Sequence, residues 1–170
     1  MNLMPRASLA VDGPGGPSPL PAGGCTNFRL RQLMRRLDQH YDAELAKAGL
    51  KTTQYSLLSH VQKLEPVSPG ALAQAMKMQP STLTRNLDSL VRAGWVLLGA
   101  GRDARSRSVT CTAAGHDKRA QAQRHWRAAQ ESLAAAVGAA QLAQLHQAMG
   151  HCLERLEQCA VDAAGEPGHG

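Results

Sequence analysis

The chain has 170 residues and a net charge of +6, with an isoelectric point near 9.6, length enough for one ordinary domain with an appended helical arm. No apolar run approaches the ~18 residues needed to span a bilayer, and the opening residues lack the basic start and apolar core of a secretion signal, so a cytoplasmic protein with no membrane partner is expected. Aromatic residues make up only 3%, so the core must be built from Leu, Ala, Val and Met on helices, and the basic excess suits a polyanionic partner.

Residues 1–24 are dominated by Pro, Gly, Ala and Ser, as in Asp12-Gly13-Pro14-Gly15-Gly16-Pro17-Ser18-Pro19. Such a segment cannot bury enough surface to offset chain entropy, so it is expected to carry no fold. From Thr26 to Ala48, Leu30, Leu33, Leu37, Tyr41 and Leu45 recur on one side of a helix, with Gly49 as its stop. Thr52 or Thr53 then caps a second helix through Tyr55, Leu57, Leu58, Val61 and Leu64, closed by Glu65-Pro66.

The stretch from Ser68 to Thr112 is more specific. A short helical pattern, Ser68 to Met76, turns Leu72, Ala73 and Met76 inward. A second helix follows from Pro80, with Leu83, Leu87, Leu90 and Val91 at the i, i+4, i+7, i+8 spacing of an amphipathic face. At roughly 100° per residue the opposite side carries Ser81, Thr82, Arg85, Ser89 and Arg92. Short hydroxyls and guanidinium forks suit phosphates and the base edges of a major groove. Trp95-Val96-Leu97-Leu98 and Ser108-Val109-Thr110-Cys111-Thr112 then read as two strands. Helix, turn, helix and a two-stranded wing is the expected order.

The wing turn, Gly99 to Arg107, places Arg102, Arg105 and Arg107 with Asp103 on a glycine-hinged tip. A narrow groove with strong negative potential attracts an inserted arginine, and Asp103 is placed to orient a neighbouring guanidinium. In isolation such a turn reads first as a solvated charged loop. Behind a basic, polar helix face it reads as part of the same surface: between Lys77 and Arg107 the bases are Lys77, Arg85, Arg92, Arg102, Arg105 and Arg107, against Asp88 and Asp103 alone.

After the wing, Ala113 to Val137 is a long Ala/Gln/Arg-rich helix broken near Gly138, and Ala139 to Ala160 carries Leu142, Leu145, Met149, Leu153 and Leu156 at near-heptad spacing. A stripe this long on a terminal helix needs a partner to bury it. Residues 163–170 are expected to be a flexible tail. The four cysteines, Cys25, Cys111, Cys152 and Cys159, form no Cys-x-x-Cys pair. Cys152 and Cys159 stand ~10 Å apart along one helix, too far to bridge. With His146 and His151 they invite a metal reading, but small buried thiols and surface imidazoles account for the pattern, and no metal or cofactor is expected.

At Ser81-Thr82-Leu83-Thr84-Arg85 with Leu87, Leu90, Gly94 and Val96, at Asp103-x-Arg105-Ser106-Arg107, and at Thr112-x-x-Gly115, the chain resembles the MarR family of winged-helix transcriptional regulators. The resemblance spans about Cys25 to Cys159. It implies a mainly α fold, a winged helix-turn-helix over residues 51–112 on a helical dimerisation platform of residues 25–50 and 113–162. It further implies a homodimer on a palindromic operator in double-stranded DNA, acting as a repressor. The DNA contacts would come from Ser81, Thr82, Thr84, Arg85, Ser89, Arg92, Arg102, Asp103, Arg105 and Arg107.

Family members often hold an aromatic or phenolic acid between the dimer helices and the winged head. The corresponding candidates are Cys25, Asn27, Arg29 and Arg31, with Tyr41, Gln54, Tyr55 and Leu58; a guanidinium beside tyrosine rings suits a carboxylate on an aromatic body. The plain alternative makes the tyrosines core and the arginines a solvated face. Some relatives instead sense peroxide through a cysteine near the start of the first helix. A thiol sensor at Cys25 is therefore the alternative, although, measured back from Tyr41 and Gln54, Asn27 occupies that position and Cys25 lies one step outside it, a departure that counts against peroxide sensing. A second alternative is an interaction module whose basic head meets an acidic protein surface. Enzymatic signatures such as Gly-x-Ser-x-Gly, Gly-x-x-x-x-Gly-Lys and His-Glu-x-x-His are absent from the sequence.

Overall fold

The computed structural model describes residues 24–101 and 107–165, so the Pro/Gly-rich arm and the wing-tip residues Arg102, Asp103 and Arg105 lie outside the described residues. The chain divides into two compact units, residues 1–35 and 36–170.

The first unit contains the opening turns of helix α1, Thr26–Leu45. Here Arg29 N–H donates to the Cys25 carbonyl at 3.1 Å, and Arg31 Nε donates to Asn27 Oδ1 at 3.0 Å, one turn apart on the helix surface. Phe28, Leu30 and Met34 are all exposed.

In the second unit α1 tightens into a short 3₁₀ turn, Ala46–Ala48, and stops at Gly49, whose φ of 68° is the left-handed conformation that glycine adopts without a Cβ penalty. Helix α2 runs from Thr52 to Leu64. Its N-cap is Lys51 rather than a threonine, because the acceptor comes from outside: Asp42 Oδ1 on α1 takes both the Thr52 N–H, at 2.7 Å, and its hydroxyl, at 2.6 Å. Gln54 Oε1 reaches back to the Lys51 N–H at 3.0 Å.

Helix α3, Pro69–Ala75, starts where Ser68 Oγ accepts the Ala71 N–H, with proline at its first position. Helix α4, Pro80–Arg92, repeats the proline start. The antiparallel strands β1, Val96–Ala100, and β2, Arg107–Cys111, pair Val96 with Cys111 and Leu98 with Val109. Val67 adds a single bridge to the other edge of β2 through two hydrogen bonds with Val109. The strands thus extend further into the turn than expected: Gly99, Ala100 and Arg107 are paired residues. Thr112 leaves the strand to cap α5, accepting the Gly115 N–H at 2.9 Å.

The head core is Leu57, Leu58 and Val61 of α2, Leu72 and Ala73 of α3, Leu83, Leu87 and Leu90 of α4, and Val67, Val96 and Val109, all buried. Leu90 and Leu58 are fully inaccessible, so truncating either to alanine would cost about 2–5 kcal/mol. A second cluster joins Leu45, Ala48, Leu50, Tyr55 and Ala122. Helix α5, Ala113–Val137, ends at Gly138 with φ 95°, and α6 runs from Ala139 to Gly165, five residues past the expected end at Ala160. His40 Nε2 donates to the Ala129 carbonyl at 3.0 Å, tying the end of α1 to α5.

Candidate nucleic-acid interface and effector cleft

The burial of α4 is one-sided. Leu83, Leu87 and Leu90 face the core, Ser81, Thr84, Arg85 and Arg92 are exposed, and Thr82 and Ser89 are half-buried. Some of the hydroxyls also serve the helix: Thr84 Oγ1 donates to the Pro80 carbonyl at 3.0 Å and Ser89 Oγ to the Asn86 carbonyl at 2.7 Å. Arg92 Nε donates to the Asp88 carbonyl at 3.3 Å, one turn back along the helix.

Arg85, Ser89 and Arg92 share a cleft of about 340 Å³ with Lys51, Thr53 and Gln54 from the start of α2. Three cations therefore converge beside a helix N-terminus, an arrangement suited to a phosphate. Lys51 and Thr53 were missed from the sequence. A lysine immediately before a Thr-Thr helix start was the available signal. Arg107 stands exposed on β2, opposite Ala100.

The effector candidates fall in both units. Cys25, Asn27, Arg29 and Arg31 belong to the first unit. Gln54 lines the cleft beside α4 and caps α2. Leu58 is a correction: it is fully inaccessible in the head core, so it has no surface to offer a ligand.

Tyr41 and Tyr55 do come together, in a cleft of about 540 Å³ whose other walls include Ser59, His60, Arg119 and Trp126. Tyr55 and Trp126 stack with centroids 6.1 Å apart and planes at 28°, and burial raises the Tyr41 phenol above its ordinary pKa, keeping it a neutral hydrogen-bond donor. Arg119 reaches across from α5, its Nε 3.4 Å from Ser59 Oγ on α2 and its Nη1 bonded to Gln123 Oε1. His60 Nδ1 donates to the Ser56 carbonyl at 2.8 Å, which fixes the tautomer when the ring is neutral and leaves Nε2 as the acceptor. The arrangement offers aromatic walls, the Tyr41 hydroxyl as a neutral donor, the His60 ring nitrogen as an acceptor and the Arg119 cation. Arg119, Gln123 and Trp126 were missed although they recur at i, i+4 and i+7, one face of α5.

Three thiols, Cys25, Cys152 and Cys159, are exposed, and Cys111 is half-buried. Burial first, and the Glu65 charge second, push the Cys111 thiol up to about 11, so it is protonated at neutral pH and a poor nucleophile. Among the described residues no helix is long and apolar enough to cross a membrane.

The geometry has clear counterparts. A profile of the MarR family matches residues 48–106. The crystal structure of the Mycobacterium tuberculosis transcriptional regulator MosR in complex with DNA is 31% identical, with 79% of this chain and 98% of that one covered at a TM-score of 0.69. A mutant MarR from Escherichia coli complexed with operator DNA is 21% identical, covering 75% and 92% at 0.70. The Staphylococcus aureus MepR–DNA complex is 14% identical, covering 77% and 98% at 0.68; these two speak for the fold alone. No curated protein matches significantly. With nearly the whole of MosR covered at that identity, and with the family profile matching over the head, the chain belongs to the MarR family of transcriptional regulators.

Proposed function

We propose that this regulator binds a palindromic operator in double-stranded DNA as a homodimer, represses from it, and is released by a small aromatic carboxylate or phenol. The observation that carries the reading is α4, whose apolar side is spent on the head core while Arg85 and Arg92 face outward beside Lys51. Ser81, Thr82, Thr84, Arg85 and Ser89 would read the major groove, Arg92 and Lys51 would hold phosphates, and Arg102, Asp103, Arg105 and Arg107 would bring the wing to the minor groove. Related structures solved on DNA support the partner.

Dimerisation is supported by apolar surface left uncovered among the described residues. Leu153 is 62% and Leu156 68% exposed on α6, a cost in water that a second copy removes. The effector would occupy the Tyr41–Tyr55–Trp126 cleft, where Arg119 is the cation in the lining and an anion partner beside the candidates Arg29 and Arg31. The cleft is walled by α2, which belongs to the head, and by α5, which belongs to the platform, so a ligand there can favour one orientation of the head over another. It lowers operator affinity by its own differential affinity for the two orientations.

Selection of bound sequences from random DNA, followed by titration at several salt concentrations, tests the reading. An inverted repeat should emerge, and log K should fall linearly with log salt as phosphates release counterions. Salt-dependent binding without any selected sequence would leave a basic interaction module as the correct description.

A further inference from the structure

Away from both clefts, three metal-ligating side chains from three different elements meet at the root of the wing. Glu65 closes α2, Cys111 ends β2 and His116 lies in the first turn of α5. Their ligand atoms all lie within 4.8 Å of one another, and His116 Nε2 is 3.2 Å from Glu65 Oε1. Ligands around a tetrahedral zinc ion sit about 3.5 Å from each other, given metal–ligand bonds of 2.0–2.3 Å, so small rotamer adjustments bring this set to bonding geometry.

We propose that Glu65, Cys111 and His116 form a binding site for a thiophilic divalent cation of the zinc class. One sulfur, one imidazole and one carboxylate select such a metal over magnesium or calcium, which take oxygen ligands. The carboxylate is already oriented: Glu65 Oε2 accepts the Cys111 backbone N–H at 2.6 Å, leaving Oε1 toward the imidazole, the kind of outer support that metal ligands require. Cys111 packs on its other side against the head core, while Glu65 and His116 keep 21% and 42% of their side-chain surface open, so an ion has an entry path. Binding expels the thiol proton to solvent, the metal taking the thiolate, and leaves a fourth position for water. The site would fasten the end of α2 to the wing and to α5, whether or not the head binds DNA.

Chelator-treated full-length protein titrated with Co²⁺ tests this, because a thiolate ligand gives a sulfur-to-cobalt charge-transfer band. One Co²⁺ per protomer should produce the band, and Zn²⁺ should abolish it by displacement. The band should be lost in Cys111→Ser, and Co²⁺ affinity should fall at least tenfold in His116→Ala. A variant carrying Cys25→Ser, Cys152→Ser and Cys159→Ser, which leaves the site untouched, should keep the band in full. Absence of the band in wild type or in that triple variant, its survival in Cys111→Ser, or unchanged affinity in His116→Ala would overturn the proposal and leave Glu65–His116 a simple ion pair.

Discussion

Gly115 shows how one residue can be dictated by its neighbours. Thr112 caps α5 and its hydroxyl donates to the Gly94 carbonyl at 2.8 Å, which draws the start of α5 against the turn before β1. A Cβ on Gly115 would stand 2.0 Å from the Trp95 carbonyl oxygen. Because the obstacle is backbone, Gly115→Ala should destabilise the protein by about 1–3 kcal/mol in urea unfolding; an unchanged midpoint would mean that the turn gives way freely. The spacing Thr112-x-x-Gly115 was legible as a motif, but its reason was not, since it depends on Trp95 being brought alongside. Arg119 makes the complementary case at the cleft. Arg119→Ala should weaken binding of a probe such as benzoate or salicylate about 10–100-fold, the worth of one charge-assisted hydrogen bond, with little change in unfolding. Equal affinity by calorimetry would remove Arg119 from the site. In the same assay Cys25→Ser should leave the response to aromatic acids intact, whereas a thiol sensor would lose its response to oxidant.

Among the elements, α4 was the most legible from sequence because its stripe is complete: Leu83, Leu87 and Leu90 are buried and the polar positions between them are not. Start signals were less secure. The Thr52-Thr53 pair looked like a cap, yet Asp42, ten residues earlier, takes that role toward Thr52 and pushes the N-cap back to Lys51. Only the folded α1–α2 corner brings that carboxylate into range. Strand ends moved for a similar reason, since pairing of Ala100 with Arg107 is settled by the partner strand rather than by local propensity. The cleft between α2 and α5 was half legible: Tyr41 and Tyr55 were singled out, but the helix facing them was not. For α4, base readout and phosphate holding are separable. Arg85→Ala should cost about 1–3 kcal/mol of discrimination between operator and random DNA, while Arg92→Ala should weaken both by a similar factor and reduce the salt slope by about one. Parallel losses for both variants in competition binding would reassign Arg85 to the backbone.

At the scale of the whole molecule, two apolar surfaces lack a cover among the described residues. Phe28, Leu30 and Met34 stand open in the first unit, and Met149, Leu153, Leu156 and Val161 do so in the second. The near-heptad stripe on α6 announced most of the second from sequence alone, whereas the stripe read on α1 included Leu30 but not Phe28 or Met34. A second copy that covers both would fix the distance between two α4 helices, and that distance is the central physical claim. A two-fold dimer reading adjacent half-sites must place them one helical turn apart, ~34 Å. Hydroxyl-radical footprinting on the selected sequence measures it directly. The account predicts two symmetry-related protected patches one turn apart across an inverted repeat. A single asymmetric patch the size of one head would contradict it.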